Sequence, residues 1–309
     1  MTSQSDVMAE TPDAGAARRT MSATRPFCWS VRRELWETRS IYVAPLAVAA
    51  VVLLALLIGA ITQPHGVRAL ASLDPARQAA TLAQAYGFAA FPISVTGFIV
   101  AVFYCLGALH NERRDRSILF WKSLPVSDLT SVLAKASIPL VVLPLVIMAI
   151  IIVLRLIMLV LGSAILLANG LSAAPLWTHL PLLQLSVVPL YGTVVEALWY
   201  APIYGWLLLV SGWARRAPFL WAVLPPLGIV VFEKIAFNST SLLSLLGYRL
   251  AGSDTEAFAA NSGGKDVIWR LAQLDPAKFL GTPGLWAGLA VAAAFIAAAV
   301  WMRRRREPI

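Results

Sequence analysis

The sequence predicts an all-α fold: a polytopic membrane protein with six transmembrane helices. Three observations lead there. Hydrophobic residues make up 59% of the 309 and charged residues only 13%, against about 25% charged in soluble domains. Mean hydropathy is +0.74. The apolar residues fall into long runs, each able to cross the roughly 30 Å of hydrocarbon in a bilayer.

The runs lie near Ile41–Ile61, Phe88–Leu109, Ser137–Asn169, Gln184–Trp213, Ala217–Phe237 and Gly284–Met302. The third is too long for one upright helix. Pro139 and Pro144 can kink it, it can tilt, or it can continue beyond the bilayer. The fifth contains Pro225 and Pro226 and ends at Glu233-Lys234; snorkelling to the interface accounts for Lys234. Between the last two runs, residues 238–283 form the longest polar section. Within it Ser241–Leu250 and Val267–Leu274 are apolar enough for two short interfacial or re-entrant helices.

Residues 1–25 are small and polar and read as a disordered cytoplasmic tail. No apolar stretch follows Met1 closely, so no cleaved signal peptide is expected, and Met21 is a second candidate start. Over residues 26–40, Phe27, Val31 and Leu35 repeat every four positions, with Cys28 and Trp36 alongside and Arg32, Arg33 and Glu37 off the stripe. This predicts an amphipathic helix at the membrane surface; the plainer alternative is the frayed start of the first span. The six-span domain then occupies 41–309.

Charge distribution sets the orientation. The net charge is +9. Seventeen of the 25 Lys and Arg fall on the N-terminal side's loops and tails and six on the opposite side, so both termini are expected in the cytoplasm. The excess is explained without nucleic acid. Eleven Trp suit interfacial belts. Cys28 and Cys105 both fall on the inner side or within a span, so no disulfide is expected, and no Cys/His spacing suggests a metal.

Chemistry-bearing motifs are few. Ser262-Gly263-Gly264-Lys265-Asp266 lacks the first Gly and the Ser/Thr of a phosphate-binding P-loop. His65, His110 and His179 are isolated. The informative intramembrane charges are Arg155 and Glu196. Each lies about 20 Å below the outer surface, counted at 1.5 Å per residue from the outer ends of their spans. Equal depth allows an ion pair that pins the two spans together, or a polar lining for a substrate path. Burying either charge alone costs at least about 2.5–3.5 kcal/mol.

The remaining feature is a charged island, His110 to Lys135, between two spans. Glu112 and Arg116 sit four apart, as do Ser117 and Trp121, and Ile118, Trp121 and Leu124 give an apolar face at helical spacing. Pro125 ends that helix, and Ser127 or Asp128 caps the next. The plain alternative is an amphipathic loop on the lipid surface.

The string Glu112-Arg113, Ser117-Ile118-Leu119 and Ser123-Leu124-Pro125-Val126-Ser127 resembles the corresponding loop of permeases of the ABC-2 type export family, with Arg116 where that family often has Gly. The motif covers about 20 residues. The resemblance implies that the loop carries a coupling helix docking on a separate ATPase, with Glu112, Arg113, Ser117, Trp121, Leu124, Pro125, Val126 and Ser127 as coupling residues. It implies a bacterial inner-membrane permease that is not itself an enzyme and binds no cofactor, with ATP and Mg on the partner. It also implies two ATPase copies, a second permease copy or paralogue, an amphipathic helix before the first span, and an outer helical hairpin before the last. A membrane-embedded enzyme and a secondary transporter without an ATPase are the alternatives. The first needs more convergent polar groups than the chain offers. The second usually shows internal repeats and helices broken at the midplane, of which Pro225 and Pro226 are the only hint.

Overall fold

The computed structural model describes residues 24–62, 73–115, 126–178, 182–259 and 271–305. Among them every regular element is helical. The only β-type pairing is an isolated bridge between Phe258 and Leu274. Five helices are long and apolar enough to cross a membrane, or six if one bent pair counts as a single span. This is the architecture of a multi-pass membrane protein.

Helix α1 (Thr24–Glu37) precedes α2 (Ser40–Thr62), the first long apolar helix. Val31 and Leu35 of α1 pack against the main core, while Trp29 and Trp36 stay exposed on either side of Arg32. The amphipathic pattern in the sequence therefore corresponds to a helix with one face on the bundle.

Helix α3 (Pro75–Ala108) has 34 residues, about 51 Å at 1.5 Å per residue, and so outruns the hydrocarbon. Pro75 stands at its start, where the missing N–H is tolerated. A short helix α4 (His110–Arg114) follows. Helix α5 (Asp128–Ser137) opens at Ser127, whose hydroxyl accepts from the Thr130 amide at 3.0 Å. Ser127 is thus the cap of the two candidates.

The third apolar run is continuous and longer than the roughly 30 Å of hydrocarbon requires. Helix α5 passes through a π-turn at Ile138–Val142 into α6 (Leu143–Ala168), and Asp128–Ala168 reads as one 41-residue span candidate. The π-turn meets the prolines: Pro139 and Pro144 each lack the N–H that a regular ladder needs. The length is taken up by extension toward α1.

The fourth run departs from a single helix. After α7 (Ala174–Thr178), helix α8 (Leu182–Trp199) and helix α9 (Ala201–Trp213) meet at Tyr200 with a 46° bend. Pro202, in the first turn of α9, offers no amide to the preceding turn, which lets the ladder open there. Pro225 and Pro226, the one hint of a broken helix in the sequence, lie inside a single continuous helix, α10 (Pro218–Phe237). Ala222 is the only buried residue of α10.

Of the two helices expected in the polar section, Ser241–Leu250 is present as α11 (Ser241–Ala251). Of Val267–Leu274, residues 267–270 lie outside the described residues, and Leu271–Gln273 is a 3₁₀ turn. Short helices α12 (Ser253–Ala257) and α13 (Pro276–Gly281) complete this region, and α14 (Pro283–Arg305) is the last span.

The core gathers α2, α3, α6 and α9 around Ile41, Ile93, Cys105, Ile138, Leu154 and Leu208. Helices α9 and α14 touch most closely. A Cβ on Gly205 would lie 3.2 Å from the Ala292 carbonyl oxygen and 3.3 Å from the Phe295 Cβ, so glycine lets the two backbones approach, as small residues do between membrane helices. Cys28 is exposed and Cys105 buried, both as free thiols.

Candidate functional site

The basic end of the bundle holds a buried ionic network, and Glu112 is its hub. Its Oε1 lies 2.9 Å from Arg33 Nη2 and 3.1 Å from Lys135 Nζ, and its Oε2 lies 2.5 Å from Arg303 Nη1. Lys135 Nζ also reaches Glu34 Oε1 at 2.7 Å, and the Tyr104 hydroxyl donates to Glu34 Oε2 at 2.8 Å. Arg303 extends its Nε to Asp128 Oδ1 at 3.0 Å. The network joins α1, α4, α5 and α14. Its charges are nearly balanced, which is the condition under which buried ions are tolerated. Burial works against the Arg33 charge, but Glu34, Glu112 and Glu37 outweigh it and hold that guanidinium above its ordinary value.

Arg303 touches both feet of the 115–127 segment: Glu112 just before it and Asp128 just after. Arg113, the next expected coupling residue, is buried. Its Nη1 donates to the Gly212 carbonyl at 2.7 Å, at the C-terminal end of α9, where helix carbonyls lack partners and attract cations. Ser211 Oγ accepts from the Leu109 and His110 amides, both at 2.9 Å, and His110 Nδ1 lies 3.2 Å from the Ala214 carbonyl oxygen. The junction of α3 and α4 is thereby fastened to the end of α9. The side chains of Glu112 and Arg113 point into the bundle and not toward an outside surface. Val126 is half-buried and Ser127 caps α5. Ser117, Trp121, Leu124 and Pro125 lie outside the described residues.

The sequence reading missed Glu34, Lys135, Ser211 and Arg303. Glu34 carried a signal: it falls three residues after Val31 and seven after Phe27, so a carboxylate sits on the apolar stripe. Lys135 likewise shares a helix face with Val132, which is fully buried.

A second polar feature lies between α3, α6 and α8. A cavity of about 320 Å³ is lined by Gln84 and Ser94 from α3, Arg155 from α6 and Thr193 and Glu196 from α8. A smaller pocket of about 50 Å³ shares Ser94, Thr193 and Glu196 and continues toward Pro139 and Tyr204. Arg155 and Glu196 therefore line the same cavity. They do not pair. Arg155 Nε and Nη1 are buried without a hydrogen-bond partner, and among the described residues no ion pair joins the two. Both side chains line the cavity without an ion pair between them, so of the two options the polar lining is seen and the pin between the spans is not.

The bend at Tyr200 is held from the side by α11. The Arg249 guanidinium stacks 4.5 Å from the Trp199 ring centroid and donates to the Trp199 and Gly284 carbonyls. Tyr248 meets Trp199 edge-on at 5.2 Å, and the Tyr200 hydroxyl donates to the Leu250 carbonyl at 3.2 Å. A cation thus sits where the carbonyls of α8 run out. Partial burial lowers the Arg249 pKa, and burial raises that of Asp254. At the end of α10, Glu233 accepts from the Ser241 and Leu242 amides at 2.8 and 2.9 Å and so caps α11.

Comparison with protein-family models, with curated proteins and with solved structures finds no match.

Proposed function

We propose that this chain is the transmembrane permease subunit of an ATP-binding-cassette exporter, in the bacterial inner membrane with both termini cytoplasmic. A separate ATPase, in two copies, would hydrolyse ATP with Mg, and a second permease copy or paralogue would complete the path. The observation that carries the reading is the double attachment of Arg303 to Glu112 and Asp128. A segment whose two feet are tied to the last span, to α1 and to α5 is suited to pass a push on its tip into several helices at once. The string from Ser123 to Ser127 supports the same reading by resemblance. In it, Glu112 and Arg113 anchor the lever inside the bundle, and contact with the ATPase falls to Ser117, Trp121 and Leu124.

The test is co-purification of the chain with an ABC ATPase encoded beside it. Loss of the ATPase on replacing 116–125 by a Gly/Ser linker, with the fold retained, is the expected result. An ATPase that stays bound to that variant, or the absence of any such gene, would overturn the reading.

The bend at Tyr200 favours a second reading, a secondary transporter, because discontinuous helices beside a polar cavity are typical of that class. Uptake or efflux in proteoliposomes driven by an ion gradient, with no ATPase added, would select it.

A further inference from the structure

We infer that the cavity between α3, α6 and α8 binds an amphiphile bearing an anionic group, which Arg155 holds, and an amine or amide donor, which Glu196 receives. Three observations carry this. Arg155 is 7% exposed, lines the cavity, and keeps both Nε and Nη1 buried with no hydrogen-bond partner. A guanidinium taken out of water without a partner is strongly unfavourable, and its fork of donors matches a phosphate or carboxylate. Glu196 faces the same space. It is exposed, and its carboxylate makes no hydrogen bond or ion pair among the described residues. The two opposite charges share one cavity wall without meeting, which leaves room for a ligand of the complementary polarity between them.

The rest of the lining supplies the apolar half. Phe88 and Phe91, 66% and 67% exposed, stand on the α3 side of the cavity, and Ile151 and Pro189 face them from α6 and α8. The volume of about 320 Å³ is at the lower end for small-molecule sites. It suits a headgroup with the start of its chains, the remainder lying along the exposed helix faces. A membrane lipid and a transported non-lipid amphiphile share this chemistry.

The inference extends the exporter reading by giving its substrate class, yet it does not need an ATPase, because the isolated chain is the test. Failed co-purification and failed binding are therefore separate results. Protein in dodecyl maltoside is titrated with dihexanoyl-phosphatidylethanolamine, dihexanoyl-phosphatidylglycerol and N-dodecanoyl-lysine. Saturable binding of the ethanolamine lipid or of the acyl-lysine is expected, the tighter of the two showing whether the natural ligand is a lipid. Arg155→Met should weaken both at least tenfold and Arg155→Lys less. Glu196→Gln should erase the preference for the ethanolamine over the glycerol headgroup. Arg155→Met should also melt no lower than the parent, since it removes an unpaired buried charge. Binding unchanged in Arg155→Met would overturn the inference, as would no saturable binding of either zwitterion. So would a large drop in melting temperature, which would make Arg155 a structural residue.

Discussion

Arg303 and Glu112 meet at 2.5 Å although 191 positions separate them. Glu112 also holds Arg33 and Lys135, so it is the carboxylate that touches all three cations, each of which has a second acidic partner in Glu34, Glu37 or Asp128. Glu112→Gln keeps the size and removes the charge. It should destabilise the protein by about 3–5 kcal/mol, the range for breaking a buried ion pair from one side. Arg303→Met should cost less, because Arg33 and Lys135 still neutralise Glu112. The two changes should be less than additive, since both act through one contact. Thermal unfolding of the four proteins in one detergent measures this.

Much of the helical layout was legible in the sequence because apolar runs and their charged ends are local signals. The stripe of Phe27, Val31 and Leu35 and the cap at Ser127 are read within a dozen residues. The bend at Tyr200 was not legible in this way. The residues around it are as apolar as the rest of the run, and what holds it comes from Arg249, 50 positions away. The same holds for Glu112. The resemblance implied an ATPase-coupling role for it, but its side-chain partners are on α1, α5 and α14, and no local pattern reveals them. Helical rise puts Arg155 and Glu196 at similar depth, and both line one cavity. That they do not pair is set by how α3, α6 and α8 pack together, which no local pattern encodes.

Ser211 is fully buried and its hydroxyl is the acceptor for two consecutive amides, those of Leu109 and His110. These belong to the junction where α3 gives way to α4. Ser211→Ala leaves both without that acceptor. A buried amide left unsatisfied costs about 1–3 kcal/mol, so a loss of that order is expected. Amide exchange at positions 109 and 110 should quicken before that of the α3 interior, which separates a local opening from general loosening.

Glu233 sits beside Lys234 near the end of a largely apolar helix and caps α11 across a turn at Asn238, whose φ is 49°. Asparagine tolerates that left-handed conformation better than most residues. Glu233→Ala should free the Ser241 and Leu242 amides, and hydrogen exchange there should rise while α10 is unchanged. Asn238→Val should produce the same fraying by forcing the turn open, even with Glu233 in place.

Gly288 marks where the last span passes beneath Arg249. A methyl group at that position would overlap the guanidinium that stacks on Trp199. Arg249 also donates to the Trp199 and Gly284 carbonyls, so moving its guanidinium aside gives up those bonds and the stack on Trp199. Gly288→Ala should therefore destabilise the protein by about 1–3 kcal/mol, the usual penalty for overpacking, despite alanine's better helix propensity. With Arg249→Ala the obstruction is gone, and adding Gly288→Ala to that variant should be neutral or slightly stabilising. Apparent melting temperatures of the two single variants and the double variant give the coupling directly. If Gly288→Ala is equally harmful in both backgrounds, the close contact with Arg249 is not what requires glycine there.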